Sequence, residues 1–252
     1  METEIVIVPD AEALARSGAQ RFVQLAQQAS DSRGRFTAAL SGGSTPHGMY
    51  RLLAEEPYRS EVPWQQVHLF WGDERCVPPD HPGSNYRMAE EALLSHVPVP
   101  PENVHRVQGE LAPQQAARAY GRDLEDFFCG PHARFDLVQL GLGSDGHTAS
   151  LFPGTAALQE TTDLVAAVEA HYEDRPACRI TLTLPAINMS RHILFLVSGS
   201  SKAEILREVL SEPGGPLPAQ RVRPTAGELA WLVDEAAAGE LDRARVGTAI
   251  RS

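Results

Sequence analysis

Residues 135–154 read FDLVQLGLGSDGHTASLFPG, an apolar run that breaks into a glycine-rich polar turn. Phe135, Leu137, Val138, Leu140 and Leu142 form an apolar run about as long as a buried strand. The run then stops abruptly. Gly141, Gly143 and Gly146 free the backbone to turn, and Asp145, His147, Thr148 and Ser150 crowd polar groups onto that turn. In open α/β sheets, ligands sit just beyond the carboxyl ends of the strands. A histidine two residues after an aspartate, on a glycine-bent turn at such a place, is a candidate general base. A lone histidine is more often a hydrogen-bonded structural residue; the glycines and Asp145 favour chemistry here. The three glycines also spell G-x-G-x-x-G. A dinucleotide-binding turn, however, runs straight into a full helix, and Pro153-Gly154 interrupts within two turns. The nucleotide reading is therefore rejected.

Working outward, apolar runs predict strands over 4–8, 36–40, 67–71, 164–168, 180–184 and 193–197. Helical spacing predicts helices over 11–30, 47–55, 86–94, 112–128 and 203–210, with a short helix beginning at Pro185. Residues 213–218 read as a surface loop, and 228–238 as a C-terminal helix with Trp231 and Leu232 packed inward. Strands alternating with helices predict an α/β fold, a Rossmann-like three-layer α/β/α sandwich with a mainly parallel central sheet. No repeat or linker interrupts the pattern, so 1–252 is expected to form a single domain.

The formal net charge of −11 argues against wide contact with nucleic acid or anionic lipid, since both need a basic surface. It leaves room for a small anion held by a local cluster of donors. Cys76, Cys129 and Cys178 show no CxxC or metal-finger spacing, which suggests a reducing compartment and no disulfide framework. No secretory signal and no apolar run of membrane-spanning length is found, so the expectation is a cytoplasmic enzyme without membrane or nucleic-acid partners. HxH, HExxH and GxSxG are missing, so neither a catalytic metal nor an acyl-enzyme is indicated.

Four polar turns follow strands: 41–45, 73–75, 141–147 and 198–202. In a parallel sheet they share one edge, which predicts a single site assembled from four distant places. Ser41, Gly42, Gly43, Ser44 and Thr45 have the composition of an anion cradle at a helix N-terminus; the plain alternative is a helix cap in a tight turn. Lys202 lies in the first turn of a helix, where the dipole disfavours it unless an anion is bound; otherwise it is simply solvated. Arg75 is either a salt-bridge partner of Asp73 or Glu74 or a fork for phosphate, and Arg179 is a weaker candidate of the same kind.

Taken together, ALSGGSTP (39–46), FWGDERCVP (70–78), SNYRM (84–88), GLGSDGHTASLFPG (141–154), RITLTLPAIN (179–188), VSGSSKAEIL (197–206) and LPAQRVRPTAGELAWLVDEAA (217–237) resemble the 6-phosphogluconolactonase family. This is the lactonase branch of the glucosamine/galactosamine-6-phosphate isomerase superfamily, and the match runs through nearly the whole chain. Gly83 departs from it, because the family often carries an acid before Ser-Asn-Tyr. The resemblance implies hydrolysis of 6-phospho-D-glucono-1,5-lactone to 6-phospho-D-gluconate in the oxidative pentose phosphate pathway, with no cofactor. It implies His147 as general base, Asp145 or Asp73 orienting it, and backbone amides of 141–146 facing the oxyanion. The 6-phosphate falls to Ser41–Thr45, Lys202 and Arg75, with Arg179 beside them. The expected assembly is a monomer or weak homo-oligomer. The sister glucosamine-6-phosphate deaminases are the alternative. They typically read Asp-Glu-Tyr where this chain has Asp73-Glu74-Arg75, and they carry an acid after the histidine turn where this chain runs Thr148-Ala149-Ser150-Leu151-Phe152-Pro153.

Overall fold

The computed structural model describes residues 3–170 and 176–242. In chain order the main elements are β1 (Thr3–Val8), α1 (Ala11–Arg33), β2 (Phe36–Leu40), α2 (Ser44–Leu53), α3 (Tyr58–Glu61), β3 (Val67–Trp71), β4 (Asp73–Arg75), α4 (Asn85–Ala92) and α5 (Pro113–Phe128). They continue with β5 (Leu137–Leu140), β6 (Val165–Glu169), β7 (Cys178–Leu182), α6 (Leu184–Asn188), β8 (His192–Val197), α7 (Ala203–Ser211) and β9 (Glu228–Asp234). Short polar and apolar signals set these bounds. The Asp10 side chain accepts from the Ala13 N–H at 2.8 Å to start α1, and Gly34, at φ 73°, ends it three residues beyond the expected stop.

Six strands form a sheet in the order β1-β9-β8-β5-β2-β3, every neighbouring pair parallel, with helices flanking it in an α/β sandwich. Strands β2 and β5 are buried along their whole length, as parallel strands covered on both faces should be. The order has one decisive consequence. The chain leaves β2 towards β3 on one side, but leaves β5 towards β8 on the other. The crevice between the carboxyl ends of β2 and β5 is therefore a topological switch point, the place where such sheets bind ligands.

Two expectations need correction. Residues 228–238 are not a helix: 228–234 form β9, inserted between β1 and β8. Glu, Leu and Ala favour a helix locally, but five successive residues, Leu229 to Val233, are buried, which leaves no polar face for a helix to present. Trp231 stacks flat on Phe195, with ring centroids 3.8 Å apart and 5° between planes. Trp231→Ala should cost about 3–5 kcal/mol, read as a shift of the urea midpoint. A loss below about 1 kcal/mol would contradict this packing. Second, 73–75 is a strand rather than a turn. With β7 and β6 it makes a separate three-stranded antiparallel sheet, β4-β7-β6, at the mouth of the switch point.

Candidate active site

The four polar turns meet in one cleft of about 480 Å³ at the switch point. After β2 the chain bends at Gly43, whose φ of 101° suits glycine, and α2 begins at Ser44. No side chain caps this helix, so its first N–H groups face the cleft alongside Ser44 and Thr45. The plain capping alternative for this turn is not realised. Beneath the loop lies Tyr50, whose hydroxyl sits 3.0 Å from the Ser41 N, 2.8 Å from the Ser41 O and 2.9 Å from Gln139 Oε1. Burial pushes the Tyr50 pKa up, so the hydroxyl stays protonated and ties the loop to β5.

After β5, the turn presents His147. Its Nδ1–H donates to Asp145 Oδ1 at 2.5 Å, and its backbone N–H donates to the same oxygen at 3.1 Å. In the neutral ring this tautomer places the lone pair on Nε2. The imidazole lies tilted against Phe152, with centroids 4.4 Å apart. Burial lowers the His147 pKa below its ordinary 6.5. The Asp145 and Asp73 carboxylates oppose that shift, and Arg179 reinforces it. Burial thus favours the neutral ring. Of the two aspartates, Asp145 is the one that holds the ring. The Gly143 N–H donates to the His147 O at 2.8 Å and the Gly146 N–H to the Gly143 O at 3.1 Å. Two of the amides expected to face an oxyanion are thus spent inside the turn. Ser144 remains on the cleft wall.

Asp73 is a buried cleft residue that accepts from Ser150 Oγ at 2.6 Å and from Asn85 Nδ2 at 3.2 Å. Next to it, Glu74 receives the backbone N–H groups of Arg75, Asn85 and Tyr86, each at 2.7 Å, and Ser84 Oγ at 3.0 Å. Glu74 therefore anchors the start of α4. Arg75 makes no ion pair with either acid among the described residues; its Nη1 donates to the Gly83 O at 2.6 Å. This backbone carbonyl steadies the guanidinium. Arg75 and Arg179 are directly opposed across the β4–β7 ladder, and both line the cleft. The Arg179 guanidinium also lies 5.5 Å over the Phe152 ring.

On the far wall, Gly199 takes φ 94° and leads through a single turn, Ser200–Lys202, into α7, with Lys202 lining the cleft. Asp234, at the end of β9, accepts from Ser198 Oγ and from the Gly199 N–H at 3.0 Å. Asp234 is hidden in the sequence because the local composition of its strand favours a helix. Tyr50 and Gln139 carry no local signal either, since their contacts span 9 and 89 residues. Among the described residues, no group of three or more His, Cys, Asp or Glu side chains is arranged to hold a metal ion, and no helix is long and apolar enough to cross a membrane.

A doubly wound sheet with a histidine–carboxylate pair facing an uncapped helix N-terminus and three cationic side chains defines an α/β protein built to act on a small anionic molecule. The chain belongs to the glucosamine-6-phosphate isomerase/6-phosphogluconolactonase family, whose model matches residues 9–231. It is 44% identical over 215 residues to a 6-phosphogluconolactonase of Synechocystis, covering 83% of this chain and 86% of that one. It is 40% identical over 247 residues to one of Nostoc, covering 96% and 99%. The solved 6-phosphogluconolactonase of Trypanosoma brucei superposes with a TM-score of 0.84 at 29% identity, covering 95% of this chain and 99% of that one.

Proposed function

We propose that this chain is a cytoplasmic hydrolase that opens 6-phospho-D-glucono-1,5-lactone to 6-phospho-D-gluconate, the second step of the oxidative pentose phosphate pathway. The observation that carries the reading is the His147 ring, bonded to Asp145 and with its pKa lowered by burial, in the same cleft as an anion cradle. The Ser41–Thr45 loop, the start of α2, Lys202 and Arg75 hold the 6-phosphate, with Arg179 adding to the field. This docking places the lactone carbonyl near His147. Nε2 takes a proton from water as the oxygen attacks C1, and Asp145 stabilises the imidazolium that forms. The negative charge on the former carbonyl oxygen faces the Ser144 N–H and the Arg179 guanidinium. As the tetrahedral intermediate collapses, the ring oxygen leaves from C1 and receives the proton from Nε2. Asp73 keeps the turn carrying His147 in place through Ser150. The family relatives named 6-phosphogluconolactonase support this choice of substrate over an amino sugar.

The test is loss of freshly made lactone, corrected for spontaneous hydrolysis, run beside ammonia release from glucosamine 6-phosphate. Acceleration of the first alone is expected, and acceleration of the second alone would overturn the reading. Lys202→Ala should raise KM by roughly tenfold or more with kcat little changed, since a charge-assisted contact to a phosphate acts equally in ground and transition states. An unaltered KM would remove Lys202 from the phosphate site.

A further inference from the structure

Asn85 lines the cleft with its carboxamide fixed in one orientation. Its Nδ2 donates both to the Asp73 O at 2.8 Å and to Asp73 Oδ1 at 3.2 Å. Both partners are acceptors, so the amide nitrogen must face Asp73 and the amide oxygen must face away. On that side runs the backbone of the anion loop, for a Cβ built on Gly42 would fall 1.9 Å from Asn85 Oδ1. The backbone N–H of Asn85 is also committed, to Glu74 Oε1 at 2.7 Å. Three donations thus lock the residue, and among the described residues no protein donor reaches Oδ1. The rest of the cleft wall is rich in donors: hydroxyls, backbone amides, two guanidiniums and an ammonium. These suit a phosphate and a carbonyl oxygen; for the hydroxyl groups of a sugar ring, Asn85 Oδ1 joins the serine and threonine oxygens and the Asp73 carboxylate, which already accepts from Ser150 and Asn85, as an acceptor on that wall.

Resting on the lactonase reading above, we infer that Asn85 Oδ1 accepts a hydrogen bond from one ring hydroxyl of the sugar phosphate, which makes Asn85 a specificity-determining residue. A locked polar acceptor disfavours a substrate that lacks the matching hydroxyl, because the bound substrate then covers the oxygen without giving it a partner. Gly42 belongs to the same device, since any side chain there would displace the acceptor.

The test measures kcat/KM for the 6-phospholactone and for its 2-, 3- and 4-deoxy analogues, with the unsubstituted protein and with Asn85→Ser. The unsubstituted protein should lose about tenfold on one deoxy analogue, the size of one hydrogen bond to a fixed acceptor. Asn85→Ser should lose about as much on the parent lactone and little further on that same analogue. Equal loss on all four substrates would mark Asn85 as merely structural and overturn the inference, as would no loss. In parallel, 6-phosphogluconate and its three deoxy forms compete for the unsubstituted protein, so the outcome does not depend on how well the variant folds. Equal affinity for all four also overturns the inference. Failure of the lactonase reading is seen separately, as no turnover of the parent lactone by the unsubstituted protein.

Discussion

His147→Ala is expected to lower kcat by about 10²–10⁴-fold, the usual worth of a positioned general base, while 6-phosphogluconate still binds. Binding should survive because the proposed phosphate contacts come from Ser41–Thr45, Arg75 and Lys202, not from the imidazole. Calorimetric titration with the product, beside stopped-flow decay of the lactone, separates the two effects, and unchanged turnover would remove His147 from the mechanism. The pH profile follows from the same geometry. Only the neutral ring can accept a proton, so kcat/KM falls as pH drops through the His147 pKa. Burial lowers that pKa below 6.5, so the acid limb should lie below the value of an exposed histidine. Asp145→Asn removes the largest influence that opposes this shift. It should move the limb to still lower pH and also depress the plateau, because the imidazolium loses its partner and the ring loses its tautomer control. A limb that moves to higher pH in this variant would contradict the assignment.

Gly143→Ala is the second large effect expected. The backbone of residue 143 passes directly under the imidazole, so a methyl group there would lie 2.0 Å from His147 Nδ1 and 2.2 Å from Cε1. No rotamer change of the new methyl relieves this, because a Cβ has none. The ring must move, and doing so disturbs its 2.5 Å bond to Asp145. Turnover should fall by about 10²-fold or more, since misplacing a reacting group by an ångström costs that much. Product affinity should change little. Gly141→Ala is the control, with nothing within 4 Å of its added Cβ. Equal losses from the two alanines would show that the turn tolerates no substitution at all and would detach the effect from the ring.

The parts of the site that were legible in the sequence are those encoded in a few consecutive residues. The anion loop 41–45, the Asp145-Gly146-His147 turn and the Ser198–Lys202 turn each follow an apolar run that ends in glycine and hydroxyl residues, and the structure brings them into one cleft. The family resemblance, carried by the same blocks, agrees with the family model and the curated relatives. Two local signals misled. Glu228 to Ala238 has helix-forming composition, yet burial on both faces makes its first seven residues a strand. Asp73-Glu74-Arg75 reads as a turn because it is short and charged, and pairing with β7 makes it a strand. In both cases the deciding partner lies far away in the chain.

Local pattern is enough to locate the buried strands β2, β3, β5 and β8, the turns that carry donors and the histidine with a carboxylate two residues before it. These follow from hydrophobic period, glycine freedom and short-range hydrogen bonding, all of which act within a few residues. Only the tertiary structure decided that β9 sits between β1 and β8, and that the chain leaves β2 and β5 in opposite directions. That reversal opens the crevice in which the turns meet. It likewise decided that Ser150 holds Asp73 across 77 residues of chain and that Asp234 holds the Ser198–Gly199 turn across 36 and 35. Such contacts exist only once the sheet has been assembled, because no local pattern encodes the partner of a buried polar group.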